Sequence, residues 1–300
     1  MDINFIIPIL NSSYGNIIRN MIEPVMKFLP DSFISQQSRD NCLNIHFFVE
    51  QGYQEMVGFT SGKGINVFID HGISDKCYRD AEKVKVYDYV CVTGPLWKQK
   101  MMDQGLPENK LLTIGFAKLD PIFNNCLVKK KDVDSVIRLL WAPTHFNSVS
   151  SYPAFEIYLN KFPSNYIVAT SAHPFHKPDK IPTFNEMVEA DIVISDTSSI
   201  IYESWAIGKP VVFPDWLVKN DITKRYPDSF EDIIYRNNIG YHAESFEELI
   251  QLTQIAASQG LDAKAQEFIE GILPAYLRGN SGQETAKVLR TLQNVHQDPF

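Results

Sequence analysis

Between residues 191 and 213 the chain reads Asp-Ile-Val-Ile-Ser-Asp-Thr-Ser-Ser-Ile-Ile-Tyr-Glu-Ser-Trp-Ala-Ile-Gly-Lys-Pro-Val-Val-Phe. An apolar strand runs into the small polar residues Ser195, Asp196, Thr197, Ser198 and Ser199, and these lead into a helix. Such a junction offers unpaired backbone N–H groups, the positive end of a helix dipole and several hydroxyls, which together suit a phosphate. Glu203 follows Ser199 by four residues, one helical turn on along the same face, where a carboxylate can accept hydrogen bonds from two ribose hydroxyls. An N-cap accounts for one hydroxyl of the run but not for the whole run with Glu203 facing it. The chain has neither GxGxxG nor GxxxxGK[ST], so the junction is neither a plain NAD site nor a P-loop.

Three further strand ends carry polar residues. Val67-Phe-Ile-Asp70-His71-Gly72 ends an apolar run in an acid, an imidazole and a glycine. His71 is the candidate general base, because an ordinary histidine pKa of about 6.5 suits proton transfer at neutral pH. Asp70 or Asp75 would orient it, and Gly72 would let the backbone approach a ligand. After Ala169–Ala172 comes His173, then Pro174; an imidazole there could stabilise charge on a departing nucleotide, and His176, deeper in the loop, is the weaker candidate. In Trp141-Ala142-Pro143-Thr144-His145, Pro143 ends the strand and presents Thr144 to a phosphate or a base. No HExxH or GxSxG occurs and no histidine pair has an acid at ligand spacing, which argues against a metal site and a serine nucleophile.

The elements that must carry these residues alternate. Strands are expected at 45–49, 65–69, 89–93, 111–114, 138–142, 166–170, 191–195 and 210–213, with helical stretches between them and three helical segments from about 245 to 295. Strands of this length alternating with helices indicate parallel βαβ units. Two series flank the charged stretch Lys129–Asp134. The expectation is an α/β protein of two Rossmann-like, doubly wound parallel-sheet domains facing across a cleft. The domains are placed at 1–130 and 135–300, and the last helix could pack on either. Ligands of open parallel sheets bind beyond the carboxyl ends of the strands, where all four constellations fall.

Composition narrows the function class. The 300 residues carry 28 Lys and Arg against 36 Asp and Glu, a net charge of −8, which argues against a nucleic-acid binder. The four cysteines form no CxxC pair, and the apolar stretch at 3–10 is interrupted and short, so neither a disulfide framework, a signal peptide nor a spanning helix is read. A cytoplasmic protein is expected.

The ordered set Asp70-His71-Gly72, Ile114-Gly115-Phe-Ala-Lys-Leu119-Asp120, Trp141-Ala-Pro-Thr144, His173-Pro174 and Ser195-Asp-Thr-Ser-Ser199, closing with Arg278-Gly-Asn-Ser-Gly282, resembles the CDP-glycerol glycerophosphotransferases. These enzymes build teichoic-acid-like cell-envelope polymers, and the likeness covers roughly residues 65–292. It implies a GT-B architecture with no required metal, the nucleotide donor on the C-terminal domain and the acceptor on the N-terminal one. On this resemblance His71 matches the base acting on the acceptor hydroxyl, and His173 the histidine near the donor phosphates. Ser198 and Ser199 match the phosphate-binding serines, and Glu203 stands where the family often has an acid. Three positions depart from the pattern. Ser171 and His145-Phe146 stand where arginines are common, and Ala117-Lys118 replaces Pro-Arg, so bidentate phosphate clamps are lost.

The resulting expectation is a transferase moving a glycerol-phosphate, polyol-phosphate or sugar unit from a CDP- or UDP-type donor to a glycan or lipid-linked acceptor. Its donor residues would be Thr144, Ser195, Asp196, Thr197, Ser198, Ser199 and Glu203, with His71, His173 and Asp70 catalytic and no cofactor. A lipid-linked acceptor admits peripheral contact with the inner face of the membrane. The alternatives are a nucleotide-sugar 2-epimerase-like enzyme, disfavoured because Asp-Thr-Ser-Ser replaces an Asp-Ser-Gly-Gly type of turn, and a non-catalytic nucleotide-binding subunit.

Overall fold

Among the described residues eleven strands form two sheets, and every strand pairing is parallel. The computed structural model describes residues 1–9, 13–60, 63–76, 80–126, 136–145, 148–171 and 183–297. The chain divides into two units, one made of Met1–Ile73, Tyr78–Asn124 and Glu270–Phe300, the other of Ser74–Cys77 and Asn125–Ile269. The C-terminal segment thus groups with the first unit, and four residues after the Asp70-His71-Gly72 loop group with the second.

In the first unit, β1 (Asp2–Ile6), β2 (Phe33–Ser35), β3 (Cys42–His46), β4 (Ile65–Ile69), β5 (Tyr89–Val92) and β6 (Leu111–Thr113) are ordered β2-β1-β3-β4-β5-β6. On these strands the apolar Ile3, Phe5, Leu43, Ile45 and Val67 alternate with a buried polar row. Asn4, Asn44 and Asn66 stand in register on β1, β3 and β4. Asn4 Nδ2 donates to Asn44 Oδ1 at 2.9 Å, and Asn44 Nδ2 donates to the carbonyls of Arg39 and Lys63, each at 3.0 Å. The row is retained because its buried amides find partners, each of which would otherwise cost about 1–3 kcal/mol. Helices α1 (Ser13–Met26), α2 (Gln51–Met56), α3 (Ala81–Val84) and α4 (Pro95–Asp103) connect these strands.

The second sheet holds β7 (Ile137–Trp141), β8 (Tyr166–Thr170), β9 (Ile192–Ile194), β10 (Val211–Pro214) and β11 (Tyr241–Ala243), ordered β11-β10-β9-β7-β8. Its near-continuous apolar strands suit a sheet covered on both faces. Leu139, Trp141, Ile192, Ile194 and Val212 form the core with Phe155 and Leu249. The helices are α5 (Thr183–Glu189), α6 (Ser199–Ala206), α7 (Asp215–Arg225), α8 (Phe230–Arg236) and α9 (Phe246–Gln259). Ser229 caps α8, its Oγ accepting from Asp232 N at 3.0 Å, while Asp232 Oδ2 accepts from Asp228 N at 2.9 Å. Next come α10 (Ala263–Ile272) and α11 (Ser281–Gln297). α11 packs with α1 in the first unit.

Counted from its own first strand, the second sheet has the order 2-1-3-4-5, and the first sheet repeats that order with one strand added. The order reverses between β1 and β3 in one sheet and between β7 and β9 in the other. In doubly wound sheets that reversal is the usual place for a ligand.

The strands expected from residue 65 onward lie within a few residues of where the sequence puts them. The strand expected at 45–49 lies instead at Cys42–His46, its register fixed by pairing of Asp2 with Cys42 and Leu43 with Ile65. β1, β2, β11, α2, α7 and α8 were not anticipated. In β1 and β3 the buried asparagines break the apolar pattern, while β2 and β11 have only three residues each.

Candidate functional site

In the second unit, the loops that leave β7 and β9 flank the reversal of strand order. They are tied together by one carboxylate. Asp196 is wholly buried, and its Oδ1 accepts the backbone N–H of Thr144 at 2.8 Å and that of Thr197 at 2.7 Å. Its Oδ2 accepts from Ser151 N at 2.8 Å and Ser151 Oγ at 2.9 Å, and its carbonyl accepts from Tyr235 Oη at 3.0 Å. Burial pushes the Asp196 carboxyl above the usual carboxylate range, opposed by those N–H donors. Ser195 makes a similar cross-strand tie, its hydroxyl donating to the Ala142 carbonyl at 2.8 Å.

Directly after these ties α6 begins. Ser198 is its N-cap, with extended backbone (φ −141°, ψ 154°) and a hydroxyl that accepts from Ile200 N at 3.4 Å. Thr197 is fully buried, and its Oγ1 has no hydrogen-bond partner among the described residues. Ser199 is half-buried, and its Oγ accepts the Ser74 N–H at 3.3 Å. Glu203 lies in the buried run Ile200–Ala206 of α6. The arrangement brings Thr144, Asp196, Thr197 and the α6 N-terminus to one end of the sheet, where an N-terminal helix end favours an anion.

A second group gathers beside it; apart from Asp75, which the sequence offers with Asp70 as the residue to orient His71, its members carry no expected role. Glu231 Oε1 accepts from Asp75 N at 3.1 Å and Tyr202 Oη at 2.9 Å, and its Oε2 accepts from Lys76 N at 2.9 Å. Asp75 Oδ2 accepts from Phe230 N at 2.9 Å, at the first turn of α8. The Lys76 ammonium donates to Thr144 Oγ1 at 3.0 Å. Burial pushes that ammonium below its ordinary pKa, with Glu231 and Asp196 opposing, and burial likewise raises the Glu231 carboxyl. Glu231 lies far from any strand end in sequence, so no local motif pointed to it.

In the first unit, Asp70 and His71 follow β4. His71 Nδ1 lies 3.1 Å from Asp70 Oδ1 and 3.2 Å from the Phe47 carbonyl. Both neighbours are acceptors, so the neutral imidazole carries its proton on Nδ1, and Nε2 is the basic nitrogen. Asp70 Oδ1 also accepts the Gly72 N–H at 3.1 Å, and the ring of Phe48 lies 4.6 Å from the imidazole, centroid to centroid. A hollow at the carboxyl ends of β1, β4, β5 and β6 is lined by Phe5, Ile69, Asp70, Thr93, Ile114 and Phe116. His173, with Pro174 and His176, lies outside the described residues.

Two motif segments meet in the first unit in a structural role. Asp120 Oδ1 accepts from Ser281 N at 3.2 Å and Oδ2 from Gly282 N at 2.6 Å, which caps α11. Ser281 Oγ accepts the Phe116 N–H at 2.8 Å. Gly115 has φ +76°, and a Cβ there would meet Ser281 Oγ at 2.2 Å, so this junction needs glycine.

Among the described residues no cluster of His, Cys, Asp and Glu could hold a metal ion. No helix there is long and apolar enough to cross a membrane.

Two parallel α/β domains of this topology define a two-domain, Rossmann-like fold of the GT-B kind. Among solved structures the chain is similar to the wall teichoic acid polymerase TagF soaked with CDPG, at a TM-score of 0.65 and 12% identity, over 99% of this chain and 90% of that one. It is also similar to the UDP-GlcNAc 2-epimerase of Neisseria meningitidis bound to UDP-GlcNAc (TM-score 0.56, 12% identity, 97% of this chain and 100% of that one). The Methanocaldococcus jannaschii UDP-GlcNAc 2-epimerase in complex with UDP-GlcNAc and UDP matches at a TM-score of 0.53 and 13% identity, over 98% and 100%. No family model matches the chain, and no curated protein matches it in sequence.

Proposed function

We propose that this protein is a transferase that moves a glycerol-phosphate, polyol-phosphate or sugar unit from a CDP- or UDP-linked donor to a hydroxyl of a glycan or lipid-linked acceptor. The observation that carries the reading is the Asp196 carboxylate, which holds the Thr144 and Thr197 backbones together at the strand-order reversal, next to the α6 N-terminus. The donor's phosphates bind there, to the Ser198 and Ser199 side of α6 and to Thr144, with Glu203 toward the ribose. The N–H groups at the α6 N-terminus, fixed by the helix, stabilise charge on the departing nucleotide without reorganising during the reaction.

His71 is the base in this proposal, with Asp70 holding Nδ1 so that Nε2 takes the acceptor's proton. In glycerol-phosphate transfer the acceptor oxygen bonds to the donor's outer phosphorus, the bond from that phosphorus to the bridging oxygen breaks, and CMP departs with the electron pair. In sugar transfer the attack is at the anomeric carbon and the nucleoside diphosphate departs. His173 assists the leaving phosphate.

The likeness to two UDP-GlcNAc 2-epimerases favours one other reading, a nucleotide-sugar epimerase. A thermal-shift screen with CDP, UDP, GDP and CMP, followed by turnover assays, separates the two. Binding to the native state alone stabilises by RT ln(1 + [L]/Kd), about 2.7 kcal/mol at a hundredfold excess over Kd. CDP or UDP should raise Tm, and release of CMP or UDP from the donor should depend on acceptor. Interconversion of UDP-GlcNAc at C2 without acceptor would replace the transferase reading with the epimerase one, and no shift with any nucleotide would overturn both.

A further inference from the structure

Two of the hydroxyls assigned to the donor are held from outside their own loops. Ser199 Oγ accepts the Ser74 N–H and donates to Ser74 Oγ, each at 3.3 Å, and Thr144 Oγ1 accepts from the Lys76 ammonium at 3.0 Å. Both holders lie in the short segment Ser74–Lys76, which groups with the second unit. We propose that Glu231 is a positioning residue of the donor site: it fixes this segment, and through it the direction in which Ser199 and Thr144 present their hydroxyls to the donor's diphosphate. This rests on the donor reading above and adds to it a residue that itself touches no donor atom.

Glu231 is fully buried in the first turn of α8 and uses both of its carboxylate oxygens. Oε1 takes the Asp75 N–H at 3.1 Å and the Tyr202 O–H at 2.9 Å, and Oε2 takes the Lys76 N–H at 2.9 Å. The segment answers in kind, Asp75 Oδ2 accepting the Phe230 N–H at 2.9 Å, so the two clasp each other across 155 residues of sequence. Tyr202 stands on α6, three residues after Ser199, and so the same carboxylate ties the segment to the helix that carries one of the two hydroxyls. Within the clasp Lys76 has φ +43°, a left-handed conformation that a residue with a Cβ adopts at a cost and that persists where its surroundings enforce it.

A hydroxyl has one proton, and the donors it accepts from decide where that proton points. Thr144 Oγ1 receives an ammonium proton, so its own proton is turned away from Lys76. Ser199 Oγ, half-buried, is fixed on one side by a backbone N–H, and a phosphate oxygen can take its proton in place of Ser74 Oγ. Hydroxyls aimed before the ligand arrives lose less freedom when it binds, which is what positioning supplies. The clasp needs a carboxylate. A glutamine at 231 has one acceptor oxygen, and its amide NH2 would face either the Lys76 N–H or the Asp75 N–H and Tyr202 O–H. That substitution keeps the side-chain volume and loosens the segment.

The test is a pair of double-mutant cycles read by calorimetry, Glu231→Gln with Ser199→Ala and Glu231→Gln with Thr144→Val. Each variant is titrated with cytidine, CDP and inorganic pyrophosphate, and with uridine and UDP in parallel. Glu231→Gln should weaken CDP or UDP, and pyrophosphate, by about fivefold or more, with nucleoside affinity unchanged. The losses should also be coupled: a double variant should bind the diphosphate about threefold or more tighter than the product of the two single losses gives. A residue that only supports the fold would lower Tm without that coupling. Losses that multiply independently in both cycles, or a loss shared equally by nucleoside and diphosphate, overturn the Glu231 assignment. Diphosphate affinity equal in wild type and a folded Glu231→Gln overturns it too and leaves the donor reading standing, whereas wild type that binds no nucleotide overturns both. Should Glu231→Gln not fold, the wild-type amides of Asp75 and Lys76 decide by NMR: saturable shifts of both with pyrophosphate support the assignment, and unmoved amides overturn it.

Discussion

Thr144 and Asp196 lie 52 residues apart in sequence, yet the Asp196 carboxylate accepts the Thr144 backbone N–H at 2.8 Å and the Thr197 N–H at 2.7 Å. One side chain therefore sets the spacing of the loops after β7 and β9, on which the candidate donor residues stand. Asp196→Ala would leave three buried backbone N–H groups without their acceptor. Each costs about 1–3 kcal/mol when unsatisfied, so we expect a loss of at least about 2 kcal/mol in denaturant unfolding. The folded fraction should also bind CDP or UDP more weakly. Unchanged stability would show that Asp196 is not the organising residue.

His71 is held at Nδ1 by Asp70 and the Phe47 carbonyl. His71→Ala should lower turnover by about 10²–10⁴-fold, the range for loss of a general base, with nucleotide affinity retained. Steady-state kinetics and calorimetry on the same preparation check this; unchanged turnover rejects the role. Asp70→Asn should lower kcat by a smaller factor, because it disturbs the tautomer and leaves the imidazole in place.

His46 is buried among Tyr53, Phe59 and Tyr87, and its Nε2–H donates to Asn66 Oδ1 at 2.8 Å. Burial pushes its pKa down to about 4 from 6.5. The folded state therefore prefers the neutral ring. The stabilisation is fully present above about pH 6.5, where the unfolded ring is also neutral, and is lost as pH falls toward 4. The difference is worth about 3 kcal/mol. Unfolding of wild type and His46→Gln between pH 4 and 7 should show a steeper acid loss in wild type; parallel curves would contradict it.

Much of the fold was legible because buried parallel strands are short apolar runs between helices. That pattern revealed β4 to β10 within a few residues. It failed where polar side chains fill the core: Asn4 and Asn44 interrupt β1 and β3, and their hydrogen bonds are long-range, invisible to any local window. At the site the sequence pointed to strand ends, and so to Thr144, His71 and the run 195–199. It did not reveal that Asp196 faces inward as a tie, or that Glu231 and Lys76 join the same end of the sheet, because those relationships span up to 156 residues.

Asp120 and Ser281–Gly282 belong to separate motif segments that the fold joins as a helix cap. Asp120→Ala should destabilise the protein by about 1–2 kcal/mol, as loss of an N-terminal cap does. Nucleotide affinity of the folded protein should stay the same, because the donor site is assigned to the other unit. A change in affinity without a change in stability would give Asp120 a different role.

The most direct test of the donor site is an amide NMR titration of the wild-type protein with CDP and with UDP. Saturable shifts should be largest at Thr144, Thr197, Ser198, Ser199 and Ile200, the amides around the Asp196 carboxylate and the α6 N-terminus. Saturable shifts confined to the strand ends of the first unit, or no saturable shift with either nucleotide, would contradict the proposal.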